Sequence, residues 1–225
     1  MLRNKCRVCH QHLYPEPLLQ YLNMPKSAQY FPDETTLQED TGEDLTICQC
    51  SGCGLVQLNN EAVHYYREVI RAAGISAEMT EYRTEQFSQW IDLSSLQGKK
   101  IIEIGCGAGE YLNIMQKNAV QAFGIEQGTN SFKQCIDSGL NVKQDYIERS
   151  EHILDEGPFD AFYMLNFLEH IPEPNETLSG IANNLKEGAV GLIEVPNFDM
   201  ILRNNLFSEF ISDHLFYFTR DTFLA

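Results

Sequence analysis

The chain has 225 residues, 43% of them apolar, and its 32 acidic side chains against 16 basic ones give a formal charge of −16. This is a globular composition, and its acid excess argues against a nucleic-acid partner, because phosphate contacts are carried mainly by Lys and Arg. The longest apolar runs, such as 189–193, are too short for a membrane span, and residues 1–6 lack the apolar core of a signal peptide.

These exclusions predict a cytoplasmic protein with no membrane partner. Disulfides seldom persist in that compartment, so the seven cysteines are expected to act as thiols or metal ligands. Five of them fall in the first 60 residues. Cys6 and Cys9 form one C-x-x-C pair, and Cys50 and Cys53 form another, so four thiolates can meet one tetrahedral zinc.

Other ligand sets remain open. Cys48 makes a competing pair with Cys50, and His10 or His12 could replace a thiolate. Buried free cysteines or a redox dithiol are the alternatives to a metal site. A closed four-thiolate site has no open position for substrate, so its predicted role is structural. The sequence thus predicts a zinc-binding module over 1–60.

The next stretch, 61–96, is predicted to be a helical connector. Its apolar residues recur at helical spacing, with Gly74 as a break: Tyr66, Val69, Ile70, Ala73, then Phe87, Trp90, Ile91 and Leu93.

From 97 to 225, short apolar runs alternate with amphipathic stretches of helix length. The predicted strands are 100–104, 121–126, 141–144, 159–165 and 190–195. This alternation predicts an α/β, Rossmann-like domain with a parallel sheet and crossover helices.

A glycine-rich turn joins the first of these strands to a helix. A dinucleotide fingerprint starting at Gly105 and Gly107 needs a third glycine where Glu110 stands. The string from Glu103 to Gly109 is instead Glu-x-Gly-x-Gly-x-Gly. It resembles motif I of the class I S-adenosylmethionine-dependent methyltransferases. A structural turn in another Rossmann-like domain is the alternative.

The resemblance to motif I implies a cofactor site along three consecutive strand ends. The glycines let the backbone approach the methionine part of the cofactor, and Glu103 orients the loop or the ammonium group through bound water. Glu126 ends the next strand, where a carboxylate can accept both ribose hydroxyls, and Asp145 suits the adenine amino group. The full predicted set is Glu103, Gly105, Cys106, Gly107, Gly109, Glu126, Gln127, Asp145, Tyr146 and Asn166.

With the cysteine pairs in front of motif I, the chain resembles the sugar C-methyltransferases that act on nucleotide-linked keto-deoxysugars. The matching segments span almost all of it: 6–9, 50–57, motif I, 166–171 and 213–218. The resemblance implies that a base removes the proton alpha to a ketone and that the enolate attacks the sulfonium methyl. His214 matches the family's proposed base, with Asp213 beside it, and His170 matches a second active-site histidine.

From the residues alone, His214 could equally be a core histidine and His170 a turn cap. The chain also departs from the family's pattern, which has Glu at 213 and Tyr at 211. The connector tyrosine expected in the family could be Tyr65, Tyr66 or Tyr82. The acceptor could accordingly differ from a 3-keto sugar.

Class I methyltransferases usually add a sixth and a seventh strand, and this family adds a C-terminal domain. The sequence therefore reads as truncated. Two functional alternatives follow: O- or N-methyl transfer to another small molecule, or an inactive cofactor-binding or zinc-dependent interaction module. The expected partner is a small molecule, first of all a nucleotide sugar.

Overall fold

A computed structural model describes residues 3–26, 32–68 and 74–224. Its helices and strands are, in chain order, β1 (Leu19–Met24), β2 (Glu43–Gln49), β3 (Val56–Leu58), α1 (Ala77–Leu93), β4 (Lys100–Ile104), α2 (Glu110–Gln116), β5 (Gln121–Ile125), α3 (Thr129–Asp137), β6 (Val142–Lys143), β7 (Phe159–Leu165), α4 (Pro174–Asn183), β8 (Leu185–Glu194), α5 (Phe198–Arg203), β9 (Phe216–Tyr217) and α6 (Arg220–Leu224). None of the helices in these ranges has the length and apolarity needed to cross a membrane.

The described residues form two compact units. The first unit comprises the described parts of Met1–Tyr66, Leu168–Pro174 and Val195–Ala225, and the second comprises those of Arg67–Phe167 and Asn175–Glu194. Chain segments far apart in sequence thus share a unit, unlike the contiguous ranges 1–60, 61–96 and 97–225 predicted as domains.

The second unit contains the predicted parallel sheet, with strand order β6-β5-β4-β7-β8 and every neighbouring pair parallel. β4 and β7 have the predicted bounds, whereas β8 begins at Leu185 rather than 190. The polar Lys186 and Glu187 at the start of β8 are exposed, so this end of the strand shows no apolar run in the sequence. Strand order reverses at β4, and open α/β sheets bind ligands at such a point.

One face of this sheet is covered by α1 and α2. Phe87 and Ile91, four residues apart on α1, belong to the same buried cluster as Ile101 of β4 and Tyr163 of β7. Residues at this spacing share one face of a helix, which is why the periodicity predicted α1 correctly.

The helical prediction for 61–96 is confirmed only for Ala77–Leu93. Ser76 ends the preceding segment as the N-cap, and its side chain accepts from the amide of Met79. Residues 64–68 form turns rather than helix, and Val69, Ile70 and Ala73 lie outside the described residues. Tyr66 itself therefore lies in a turn of the first unit rather than in a helix.

The first unit is built on an antiparallel sheet of order β1-β2-β3-β9. β9, close to the end of the chain, pairs with β3 through Val56 opposite Tyr217 and Gln57 opposite Phe216. The buried cluster of this unit contains Leu45, Ile47, Val56, Leu58, Phe198, Ile201, Phe210 and Tyr217. Strand pairing and this shared core explain why the described residues from Val195 onward group with the cysteine-rich segment.

Candidate functional site

The glycine loop follows β4 in the second unit and needs its glycines. Gly105, Gly107 and Gly109 have φ values of 70°, 56° and 83°. These lie in the left-handed region that favours glycine. A Cβ on Gly109 would also lie 2.3 Å from Leu140 Cδ1 and 2.9 Å from Cys135 Sγ. The third glycine therefore serves close packing as well as backbone conformation.

Most amides of this loop donate hydrogen bonds within the protein. The donations run from Gly105 and Cys106 to the Ile125 carbonyl at 3.1 and 3.0 Å, from Gly109 to the Cys106 carbonyl at 3.0 Å, and from Gly107 to the Glu126 carboxylate at 2.9 Å. A phosphate-binding loop instead points its amides at the ligand. The arrangement therefore favours a cofactor that brings no phosphate to the loop.

Glu126 closes the loop against the start of α3. Its side chain is only 1% exposed, and its two carboxylate oxygens accept from the amides of Gly107 and Gly128 at 2.9 and 2.7 Å. The buried charge is thus held by backbone dipoles at the carboxyl end of β5.

Glu103 lies at the neighbouring strand, β4, and is also 1% exposed. It accepts a hydrogen bond of 2.9 Å from the Tyr163 hydroxyl of β7. Tyr163 lies in an apolar run of the sequence, which gives no sign of a polar role. The available signal was its hydroxyl, since a tyrosine buried in a strand usually needs a hydrogen-bond partner.

Asp145 follows β6, with its side chain 18% exposed. One carboxylate oxygen accepts from the Tyr146 amide at 2.8 Å, and the other lies 3.2 Å from His152 Nε2 and 3.5 Å from Lys143 Nζ. His152 and Lys143 are contacts that sequence reasoning did not find. Gln127, another predicted cofactor residue, is exposed beside α3.

Asn166 stands at the carboxyl end of β7 with a left-handed φ of 51°. Its amide donates to the Glu194 carbonyl at 2.8 Å, and its side-chain nitrogen lies 3.3 Å from Glu194 Oε1. Glu194 also pairs with the buried Arg83 of α1, whose guanidinium lies 5.0 Å from the centre of the Tyr111 ring. The Glu194 carboxylate at the end of β8 thus contacts both Arg83 and Asn166, which follows β7.

The side chain of Cys106 lies in the core beneath the loop, with its sulfur 3.9 Å from the Gly107 carbonyl oxygen. Its side chain is fully buried in a cluster with Leu112, Cys135, Leu140 and Val142. The neighbouring Cys135 thiol and burial raise the pKa of Cys106. The side chain is therefore a protonated core thiol, which leaves the main chain as the part able to contact a cofactor.

In the first unit, the four predicted cysteine ligands come together. The sulfurs of Cys6, Cys9, Cys50 and Cys53 all lie within 4.8 Å of one another, with Cys6 to Cys53 at 3.8 Å and Cys9 to Cys50 at 3.3 Å. Tetrahedral zinc with Zn–S bonds of about 2.3 Å needs sulfurs about 3.8 Å apart. The cluster therefore fits a closed thiolate site.

Backbone amides support the same interpretation. The Val8 amide lies 3.4 Å from Cys6 Sγ, and those of Gly52 and Cys53 lie 3.3 and 3.4 Å from Cys50 Sγ. Such donors stabilise thiolate charge. The alternative ligands Cys48, His10 and His12, all within the described ranges, do not join the cluster.

The predicted catalytic residues form a second cluster in the first unit. His170 ends a 3-10 turn at Leu168–His170, and His214 precedes β9; their ring centres are 5.0 Å apart. His170 Nδ1 lies 2.8 Å from the Asp213 carbonyl oxygen. Because a carbonyl only accepts, Nδ1 must carry the hydrogen, and the Nε2 lone pair of His170 is left available.

Burial controls the protonation of both rings. Burial lowers the pKa of His170, and burial together with the neighbouring His170 lowers the pKa of His214 to about 4. Both imidazoles are therefore neutral at neutral pH, as a general base must be before it acts.

Tyr65, one of the three tyrosines that the sequence offered, joins this cluster. Its hydroxyl donates a 2.8 Å hydrogen bond to Asp213 Oδ1, and both residues are buried. Tyr82 lies on α1 in the other unit with 55% of its surface exposed. The predicted catalytic residues thus share the first unit, while the predicted cofactor residues share the second.

A family described as methyltransferase domain matches residues 79–225. The chain belongs to the class I S-adenosylmethionine-dependent methyltransferase family. The chain is 35% identical over 106 residues to a ubiquinone biosynthesis O-methyltransferase of Stutzerimonas stutzeri (strain A1501), and the match covers 44% of this chain and 45% of that protein. It is 23% identical over 224 residues to C-methyltransferase NovU of Streptomyces niveus, covering 96% of this chain and 53% of that protein.

Among solved structures, the chain is similar to an S-adenosylmethionine-dependent methyltransferase from Clostridium acetobutylicum. The TM-score is 0.47 at 14% identity, over 63% of this chain and 58% of that chain. The chain spans about half the length of the curated relatives it matches.

Proposed function

We propose that this methyltransferase transfers the methyl group of S-adenosylmethionine to a carbon alpha to a ketone, in a nucleotide-linked sugar. The observation that carries the proposal is the cluster of His170 and His214 with the buried Tyr65 and Asp213. Similarity to a protein named as a C-methyltransferase over 96% of this chain supports it. A carbon acid needs a positioned base, whereas a heteroatom already has a lone pair to donate.

In the proposed mechanism, the neutral His214 imidazole takes the proton from the alpha carbon. The C–H electron pair moves into the enolate, and the buried Asp213 carboxylate stabilises the imidazolium that forms. The Tyr65 hydroxyl orients Asp213. When bound, S-adenosylmethionine supplies an electrophilic methyl group to the enolate carbon.

The proposed cofactor residues all lie in the second unit. Glu126 would accept the ribose hydroxyls, Asp145 the adenine amino group, and Glu103 with the glycine loop would hold the methionine part. The four cysteines of the first unit would bind one structural zinc. No step of the mechanism uses this metal.

The test of carbon-acid chemistry is solvent exchange. The chain is incubated with a nucleotide-linked 3-keto-deoxysugar in deuterium oxide, and mass spectrometry follows deuterium into the alpha carbon. We expect exchange that falls about 100-fold in His214→Ala, consistent with the loss of a general base, and clearly in Tyr65→Phe. His12→Ala, which removes an exposed histidine, is the control. No exchange, or undiminished exchange in His214→Ala, would refute the proposal.

The cofactor assignment is tested by calorimetric titration with S-adenosylmethionine. Glu126→Gln replaces an acceptor with a donor facing a backbone amide, so we expect affinity to fall about tenfold or more. Glu187→Gln changes an exposed glutamate of the same unit and should bind like wild type. Equal affinities for all three proteins would contradict the assigned role of Glu126.

A second candidate is methyl transfer to oxygen, favoured by the 35% identity to the ubiquinone biosynthesis O-methyltransferase. That match covers 44% of this chain, against 96% for the C-methyltransferase. With an oxygen acceptor, deuterium stays out of carbon, and His214→Ala keeps substantial activity.

A further inference from the structure

Beside the predicted catalytic pair lies a buried acid that the mechanism does not use. Glu169 directly precedes His170 and is only 1% exposed. One ligand atom from each of Glu169, His170 and His214 can be chosen so that all three lie within 4.8 Å of one another. The separation between His170 Nε2 and Glu169 Oε1 is 3.9 Å.

This set has the chemistry of an open metal site. Two imidazoles and one carboxylate are the ligands of many catalytic zinc centres, which keep a fourth position for water or substrate. Ligands about 2.1 Å from a tetrahedral metal lie about 3.4 Å apart, so small side-chain rotations would close the set. The four-cysteine cluster differs on both counts, because it is closed and made of soft thiolates.

The hydrogen bonding of His170 fits the same role. Its Nδ1–H donates to the Asp213 carbonyl at 2.8 Å, so the lone pair is on Nε2, the nitrogen that faces Glu169. Metal-binding histidines almost always donate their other ring hydrogen to such an acceptor, which fixes the tautomer and the ring orientation. The ring is therefore already held in the form that a metal needs.

We propose that Glu169, His170 and His214 bind a divalent transition-metal ion such as Zn²⁺ or Co²⁺, separately from the four cysteines. Binding occupies a His214 lone pair and so stops proton abstraction. The inhibitory part rests on the proposed function, because it requires His214 to be the base. The binding part does not.

The binding test uses the full chain with zinc already loaded on the cysteines, titrated with Co²⁺ and followed by absorption. We expect one further equivalent, with cobalt d–d bands and no thiolate charge-transfer band. Two variants remove one ligand each. His170→Asn retains an N–H donor for the Asp213 carbonyl but lacks Nε2, and Glu169→Gln removes the charge.

Each variant should weaken Co²⁺ binding about 100-fold, since loss of even an outer-shell partner costs 10–100-fold in metal affinity. His12→Ala should bind as wild type does. The absence of a further equivalent, or binding that both ligand variants leave unchanged, would overturn the site.

Deuterium exchange in the same samples separates the two proposals. Exchange that stops as Co²⁺ binds supports both. Binding with continued exchange keeps the metal site and refutes His214 as the base. Exchange without any binding keeps the base and refutes the metal site.

Discussion

At the scale of single residues, two buried carboxylates of the second unit each accept hydrogen bonds from specific donors. Glu103 accepts from a tyrosine hydroxyl, and Glu126 accepts from two backbone amides. An unsatisfied buried carboxylate would be costly, so these donors stabilise the charged form. Both acids are thereby held in place before a cofactor arrives, and the glycine loop is tied to Glu126.

Two glycines of the second unit allow the cost of backbone strain to be measured apart from the cost of steric crowding. Gly109 and Gly139 have φ values of 83° and 72°, but a Cβ on Gly139 meets nothing within 4 Å. We expect Gly139→Ala to lower the free energy of unfolding by about 1–2 kcal/mol, the left-handed strain alone. Gly109→Ala should lose about 1–3 kcal/mol more from overpacking against Leu140 and Cys135.

Urea unfolding of both glycine variants measures this difference directly. Equal losses would show that Leu140 yields to the new methyl group at no cost.

At the scale of elements, one buried arginine joins the first cysteine pair to distant segments. Arg7 stands between Cys6 and Cys9 and is 1% exposed. Its guanidinium donates to the Asn60 carbonyl at 2.6 Å and to the Pro172 carbonyl at 3.3 Å. Its backbone amide donates to Gln57 Oε1 of β3 at 3.2 Å. The cysteine pair is thus connected to the segment that carries His170.

Arg7→Met should therefore destabilise the protein far more than Arg3→Met does. Two hydrogen bonds from a buried charged donor are lost, at about 1.5–3 kcal/mol each. Arg3 pairs with Glu173, next to Pro172, but both side chains are partly exposed, and such pairs contribute at most about 1 kcal/mol. Chemical denaturation measures the two losses, and we expect slower deuterium exchange in Arg7→Met only. Similar effects from the two variants would argue against a coupling role for Arg7.

At the scale of the whole molecule, the proposed zinc binding and the proposed cofactor binding belong to different units. The cysteines and the histidine cluster lie in the first unit, and the predicted cofactor residues lie in the second. Zinc binding and cofactor binding should consequently be separable by mutation.

Cys53→Ser tests this separation against Cys48→Ser, a buried cysteine outside the cluster. We expect about one zinc per chain in wild type and in Cys48→Ser, and loss of zinc, stability and deuterium exchange in Cys53→Ser. Affinity for S-adenosylmethionine should stay within about twofold, a difference below about 0.5 kcal/mol. The reason is that the predicted cofactor residues lie in the second unit. Metal analysis and calorimetry on the same samples provide the measurement. Equal zinc content in the two variants, or cofactor binding lost together with zinc, would contradict the prediction.

Several features follow from the sequence because their causes are local. Apolar runs of strand length predicted β4 and β7, glycine at Gly105, Gly107 and Gly109 predicted a turn, and C-x-x-C spacing predicted the cysteine cluster. Neighbouring residues carry the signal for each strand, for the turn and for each cysteine pair, whereas the meeting of the two pairs across 41 and 47 residues of chain depends on packing.

Other features were decided only by the tertiary structure. Tyr65 contacts Asp213 across 148 residues of chain, and Arg7 reaches Pro172 across 165. The pairing of β9 with β3 and the approach of Glu169 to His214 likewise join distant segments. Nothing near these residues in sequence indicates their partners. The packing of the antiparallel sheet and its core brings them together, and that packing depends on the whole chain at once.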